Sequence, residues 1–420
     1  MSNNVSMKKC VLWNSFGNLL YLACQWVVTV MVTRISGYQD AGILSVAMSV
    51  SATLQTIALF GVRNFQVSDI EFKYSDTTYF NFRTVTSIAS VAVCVLFCIV
   101  ADYSSEQFVA VLFYMLFRIA ESVSDVMHGI AQKRGRLDVA GKSLAIKALL
   151  LTVSFFSAYL LSGSLNVGLG FMAISSALST IFYDYVTVRK ICEFGLYENI
   201  KKALPLLREV FPLCIYMFLF AALTSAPKLI LEMLKGEEVL GVYSSIFAPA
   251  TLIQAATAYI YNPFATAFAE HLQTKNYKGF SKLLTKISLI MLVISTVISL
   301  LAYLLGEFML VIIFGESIRA HAYLLLPIII VTVMLSYVGF FCMISTVLRD
   351  FKSIIIGCGV GFALSIALSF VFINRMNAQG TSIALIISAF IAVIILLSFI
   401  LLKLRRLNRT NISKEAENVT

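Results

Sequence analysis

The chain has 420 residues, 59% hydrophobic and only 13% charged, against roughly 25% charged in a soluble domain. A surface so poor in charge excludes a soluble enzyme or nucleic-acid-binding domain. The net charge of +10 is therefore read from where the basic residues fall rather than from their sum.

In chain order, apolar blocks of about 20 residues match the length at which a helix crosses ~30 Å of hydrocarbon. They predict spans at 11–33, 41–62, 84–101, 107–130, 143–162, 168–188, 210–232, 240–262, 283–305, 321–347, 353–373 and 380–402. None alternates every second residue, as barrel strands would. The reading is an all-α integral membrane protein with about twelve transmembrane helices. The first block is too long for a signal-peptide core and lacks a small-residue cleavage site, so it is expected to stay as a span. With the N-terminus inside, 25 of the 32 Lys and Arg lie on the inner side and four on the outer: Arg34, Lys235, Arg319 and Arg375. Arg118, Lys147 and Lys228 fall within spans. One span more or fewer would scramble this split, so both termini are expected in the cytoplasm. The basic residues then orient the chain and meet anionic lipids, and no nucleic acid is expected as a partner. The eight cysteines lie mostly within apolar blocks, with no CxxC or Cys/His spacing, so no metal or other cofactor is expected.

The chain repeats itself at a constant offset. Gly37, Gly42, Ser45, Gln55 and Phe65 recur as Gly236, Gly241, Ser244, Gln254 and Phe264, and Arg83 falls opposite Lys282. Six spans per repeat leave both halves in the same orientation, the parallel-repeat architecture of transporters. The expected organisation is an N-terminal six-helix bundle over 1–190, a cytoplasmic linker over 191–209, a second six-helix bundle over 210–402 and a disordered cytoplasmic tail over 403–420.

Span 4 carries Arg118, Glu121, Asp125 and His128, spaced to form one helical stripe. A charge at mid-bilayer costs ~2.5–3.5 kcal/mol, so the stripe must face protein or water. It lines a transport cavity, or it forms an internal Arg118–Glu121 salt bridge that locks helix packing. Glu121 and Asp125 are one turn apart, where like charges disfavour double ionisation, making them the candidates for proton or sodium coupling. Asn14, Asn18 and Gln25 form a milder polar stripe on span 1. Gln55 and Gln254 occupy equivalent places in the two halves, and each of these polar residues either contacts cargo or bonds a neighbouring helix. Arg34 and Lys228 lie near outer span ends and either face a cavity or snorkel to the interface. Lys147 and Asp184 read as interfacial.

The turn Arg34-Ile-Ser-Gly37-Tyr-Gln-Asp-Ala-Gly42-Ile-Leu-Ser45, its counterpart from Pro227-Lys228 through Gly236-Glu-Glu-Val-Leu-Gly241-Val-Tyr-Ser244, and the segment Leu304 to Glu316 together resemble the bacterial polysaccharide (O-antigen) flippases. That family sits within the multidrug/oligosaccharidyl-lipid/polysaccharide exporter superfamily. The resemblance covers nearly the whole chain. It implies two six-helix bundles forming a V around a cavity that opens alternately to each side of a bacterial inner membrane. It also implies a polyprenyl-diphosphate-linked oligosaccharide as cargo, flipped outward for surface O-antigen or capsule assembly, with a polysaccharide polymerase and a chain-length regulator as partners. The substrate-binding candidates are then Arg118, Glu121, Asp125, Lys228, Arg34, Asn14, Asn18, Gln25, Gln55 and Gln254. An ion-coupled drug exporter of the same superfamily is the alternative. A membrane polymerase or ligase is less favoured, because no large outer loop carries paired carboxylates, and no Walker lysine motif is present. No catalytic residue is expected.

Overall fold

A computed structural model describes residues 6–69, 73–192, 194–195 and 203–417. Among the described residues there is no strand. Helix α1 (Met7–Ser36) is capped by Ser6, whose side chain accepts from the Lys9 backbone N–H. It stops at Gly37, and α2 (Tyr38–Leu59) starts on the next residue. The second half repeats this: α9 (Leu204–Lys235) stops at Gly236 and α10 (Glu237–Tyr261) follows. The two glycines have φ of 84° and 86°, and an added Cβ at either would meet nothing within 4 Å. Conformation rather than crowding therefore asks for glycine at both turns.

Between these pairs lie α3 (Val62–Ser68), α4 (Asp76–Val100), α5 (Ser105–Lys133), α6 (Leu137–Ser162) and α7 (Leu165–Ser179). A π-helical turn (Thr180–Tyr185) and α8 (Val186–Arg189) continue α7. After α10 come α11 (Ala265–Gln273), α12 (Tyr277–Phe314), a 3-10 stretch (Glu316–Leu324), α13 (Leu325–Val347) and α14 (Phe351–Glu417). Helix α14 is interrupted at Asn377, with φ 51° and ψ −139°, which separates the last two expected spans. Every expected span is thus found as helix. Nine helices among the described residues are long and apolar enough to cross a membrane by length and composition. Helices α5, which carries the charged stripe, and α10 lie outside that set, and α14 counts once. Large apolar side chains cover the outer faces: Leu149, Val153 and Leu160 on α6, and Val293, Leu300, Leu304 and Phe308 on α12, are all exposed. Apolar surface this continuous belongs in lipid. The protein is a multi-pass α-helical membrane protein.

By packing, the chain forms two compact units, Met1–Ala221 and Ala222–Thr420. The division lies inside α9. Leu206, Val210 and Cys214 of α9 join Phe60, Phe82, Val126, Ile130 and Val188 in the core of the first unit. Of the expected linker, residues 193 and 196–202 lie outside the described residues, and α9 already begins at Leu204. Helix α14 runs on to Glu417, because neither Gly nor Pro follows Gly380 to stop it, and residues 418–420 lie outside the described residues. Lys403 ties this extension down by donating to the Leu348 carbonyl at 2.7 Å.

Candidate functional site

The first unit gathers most of the intramembrane charge around α5. This helix starts with a capping box in which Ser104 and Gln107 satisfy each other's backbone N–H groups. Its stripe divides into three groups: the Arg118–Glu121 pair, Asp125 and His128.

Asp125 is held between two arginines from other elements. Helix α2 ends in two successive left-handed residues, Phe60 (φ 49°) and Gly61 (φ 66°). Gly61 is required twice over, by its φ and because an added Cβ would lie 2.9 Å from Leu213 Cβ. Phe60 accepts its unfavourable φ while its ring packs edge-on against Phe82 at 5.4 Å. The chain turns so that Arg63, on α3, reaches back to α5. Its Nη1 donates to Asp125 Oδ1 at 3.0 Å and its Nη2 to Gln132 Oε1 at 3.1 Å. From α4, Arg83 donates to Asp125 Oδ2 at 2.9 Å and to the Ala58 carbonyl, with its side chain 1% exposed. A cavity of about 390 Å³ opens beside this group, lined by Gly61, Arg63, Asn64, Asp125, Gln132 and Met217 among others.

Toward the other end of α5, Arg118 and Glu121 pair at 2.7 Å. The Arg118 guanidinium also lies over the rings of Tyr114 and Phe117 at 5.4 and 5.5 Å. Gln55 of α2 donates to the Arg118 carbonyl at 3.2 Å and to Ser122 Oγ at 3.3 Å. Gln25 of α1, with Thr29, Tyr114 and Phe117, lines a void of about 10 Å³, room for about one water molecule. Its amide nitrogen and the Tyr21 hydroxyl have no hydrogen-bond partner among the described residues.

The last member of the stripe, His128, belongs to a buried network. Its Nε2 lies 3.2 Å from Asp184 Oδ1, while Lys147 reaches Asp184 Oδ2 at 2.8 Å and also bonds Ser124. Ser124 donates to Asp184 at 2.7 Å and meets Thr180 at 2.8 Å. The side chains of His128, Asp184 and Lys147 are 4%, 0% and 2% exposed. This overturns the interfacial reading of Lys147 and Asp184. The π-helical turn shifts Asp184 off the regular helical register.

Asn18 bonds back to the Asn14 carbonyl at 2.7 Å and to its side chain at 3.3 Å, so both stay on α1. Arg34 is exposed in the last turn of α1. In the second unit, half-buried Lys228 places its ammonium 3.8 Å from the centroid of the Phe247 ring, and Gln254 is half-buried on α10. Sequence reasoning missed Arg63 and Arg83, which read as inner-loop charges. The one available signal was that Arg83 stands opposite a basic residue in the repeat. At the turn between α3 and α4, Asp69 accepts from the Lys73 and Tyr74 backbones (2.8 and 3.3 Å) and the Tyr79 hydroxyl (2.9 Å), and pairs with Lys133 at 3.4 Å. Burial pushes the Asp69 carboxyl up, but these donors outweigh it and hold the group below its usual range.

The fold has relatives among solved structures. The lipid II flippase MurJ in its inward closed conformation superposes with a TM-score of 0.73, at 12% identity over 96% of this chain and 91% of that one. A multidrug resistance MATE family transporter of the MOP superfamily, inward-facing, gives 0.67 at 12% identity over 98% and 97%. The chain thus shares its fold with these two proteins. Residues 7–269, more than half the chain, match the family of polysaccharide biosynthesis proteins, and the chain belongs to that family. The capsular polysaccharide biosynthesis protein CapF of Staphylococcus aureus is 26% identical over 394 residues, covering 90% of this chain and 95% of that protein.

Proposed function

We propose that the protein is a flippase that carries a polyprenyl-diphosphate-linked oligosaccharide from the inner to the outer leaflet of the bacterial cytoplasmic membrane for capsule or O-antigen assembly. It does so by alternating access, with both termini cytoplasmic and no enzymatic step. The observation that carries the reading is the cluster of Arg63, Arg83 and Asp125 beside a cavity. Two guanidiniums against one carboxylate leave one excess positive charge in a membrane-embedded wall, and guanidinium forks suit phosphate oxygens. Family membership and the likeness to CapF and MurJ support the same cargo class. A cationic drug would be repelled by this cluster, which counts against the drug-exporter alternative.

Arg118 with its aromatic neighbours, Gln55 and Gln25 are the candidates for sugar contact, together with Asn14 and Asn18 farther along α1. In the second unit, Lys228 and Gln254 are the candidates, and Arg34 serves at the outer turn. Of the two coupling candidates, Glu121 has one cationic partner and Asp125 two, which favours Glu121 for a proton or sodium ion. A polymerase and a chain-length regulator would receive the flipped cargo. The test is deletion in a strain without a redundant carrier, scoring which leaflet holds the lipid-linked sugar with a membrane-impermeant probe. Accumulation in the inner leaflet is expected. Unchanged appearance in the outer leaflet overturns the flippase.

A further inference from the structure

Asp125 stands where an anionic ligand of Arg63 would stand. Its two oxygens are divided: Oδ1 accepts from Arg63 and Oδ2 from Arg83. Only Arg63 and Asp125 of these three line the cavity. In this state the two lining charges cancel, and the excess positive charge resides on Arg83, buried behind the carboxylate with a second bond to the Ala58 carbonyl. A phosphate entering the cavity would meet a guanidinium already occupied.

We infer that Asp125 is a resident counter-anion, which a diphosphate displaces from Arg63 on binding and which recaptures Arg63 to expel the diphosphate on release. This rests on the diphosphate cargo proposed above. The geometry makes the exchange inexpensive. Breaking the Oδ1 contact leaves Asp125 bonded to Arg83, so the carboxylate is never stranded without a cation, and an unpaired buried charge is the costly outcome. The three groups differ in freedom as the exchange requires. The Arg63 side chain is 31% exposed and Asp125 21%, whereas Arg83 is 1% exposed. Arg63 sits on the short α3 just past the left-handed Phe60–Gly61 pair, with Gln132 as its other anchor. Arg83 is the fixed post, Asp125 the swinging carboxylate and Arg63 the ligand-facing cation. A carrier must release what it binds, and a competing internal anion keeps a dianion from being held too tightly.

The test uses the full-length protein in nanodiscs, with inorganic pyrophosphate as the probe, followed by calorimetry. Asp125→Asn is expected to tighten binding about tenfold, the worth of one charge-assisted hydrogen bond in a partly wet site, while losing transport of the lipid-linked sugar in cells. Arg63→Gln is expected to weaken binding by a similar factor, and the double variant to bind as weakly as Arg63→Gln alone. Should Asp125→Asn fail to fold, wild-type protein answers by infrared difference spectroscopy: pyrophosphate is expected to shift a carboxylate stretching band. Unchanged or weaker binding by a folded Asp125→Asn protein, or no carboxylate band in the difference spectrum, overturns the counter-anion. Neither result touches the flippase itself, which the leaflet assay decides independently.

Discussion

The two glycine turns of the repeat fold alike, with Gly37 and Gly236 within 2° of each other in φ, yet the charges beyond them part company. Arg83 is buried against Asp125, while its counterpart Lys282 is exposed on α12. Gln55 bonds α5 through the Arg118 carbonyl and Ser122. In the second unit, buried contacts between helices include two hydroxyl pairs, Tyr243 with Ser382 at 3.2 Å and Thr257 with Ser336 at 2.9 Å, and Lys228 rests on an aromatic face. Duplication has kept what the backbone requires and released what the side chains do. The buried ion pairs among the described residues are thereby concentrated in the first unit.

The sharpest way to break this contrast is at the buried network, which has no charged counterpart among the contacts just described for the second unit. Asp184→Asn leaves the Lys147 ammonium buried without its carboxylate, and removing one partner of a buried pair costs about 3–5 kcal/mol. Thermal unfolding of the purified protein in detergent should show a large drop in midpoint, and a wild-type midpoint would mean the network is not formed. Next is the pair of repeat-equivalent basic residues. Arg83→Gln should cost about 2–3 kcal/mol through its lost charge-assisted bonds, whereas Lys282→Gln on the exposed face should stay within about 0.5 kcal/mol. Equal effects in the same unfolding assay would erase the asymmetry.

The turns predict the opposite pattern, symmetry. Gly37→Ala and Gly236→Ala should each cost about 1–2 kcal/mol, since both force a side chain into positive φ, and unequal losses would show that the shared φ is not what matters. Lys228→Met tests the cation–π contact with Phe247 in the second unit and should cost about 1 kcal/mol or less, the worth of a partly exposed contact of this kind. The smallest effect concerns acid. Because the Asp69 carboxyl is held below its usual range when folded, its stabilisation is present above the unfolded value and is lost as pH falls through the folded one. Asp69→Asn should therefore flatten the acid limb of stability measured by unfolding midpoint against pH, leaving the neutral limb lower but level.

The amino-acid order alone determined the membrane class, the positions of the helices and the duplicated glycine turn. Each follows from local rules: run length against bilayer thickness, and a φ that only glycine adopts at ease. The stripe of Arg118, Glu121, Asp125 and His128 was also legible, because helical spacing is local. What these residues pair with was not. Arg63 and Arg83 precede Asp125 by 62 and 42 residues, and they meet it only because Phe60 and Gly61 turn the chain left-handed and α4 begins at Asp76, earlier than its apolar run suggests. Asp184 reached its buried partners through a π-helical turn that no periodicity announces. Charge spacing along one helix is a property of the chain, whereas the choice of counter-ion depends on which helices touch, and only the folded packing decides that.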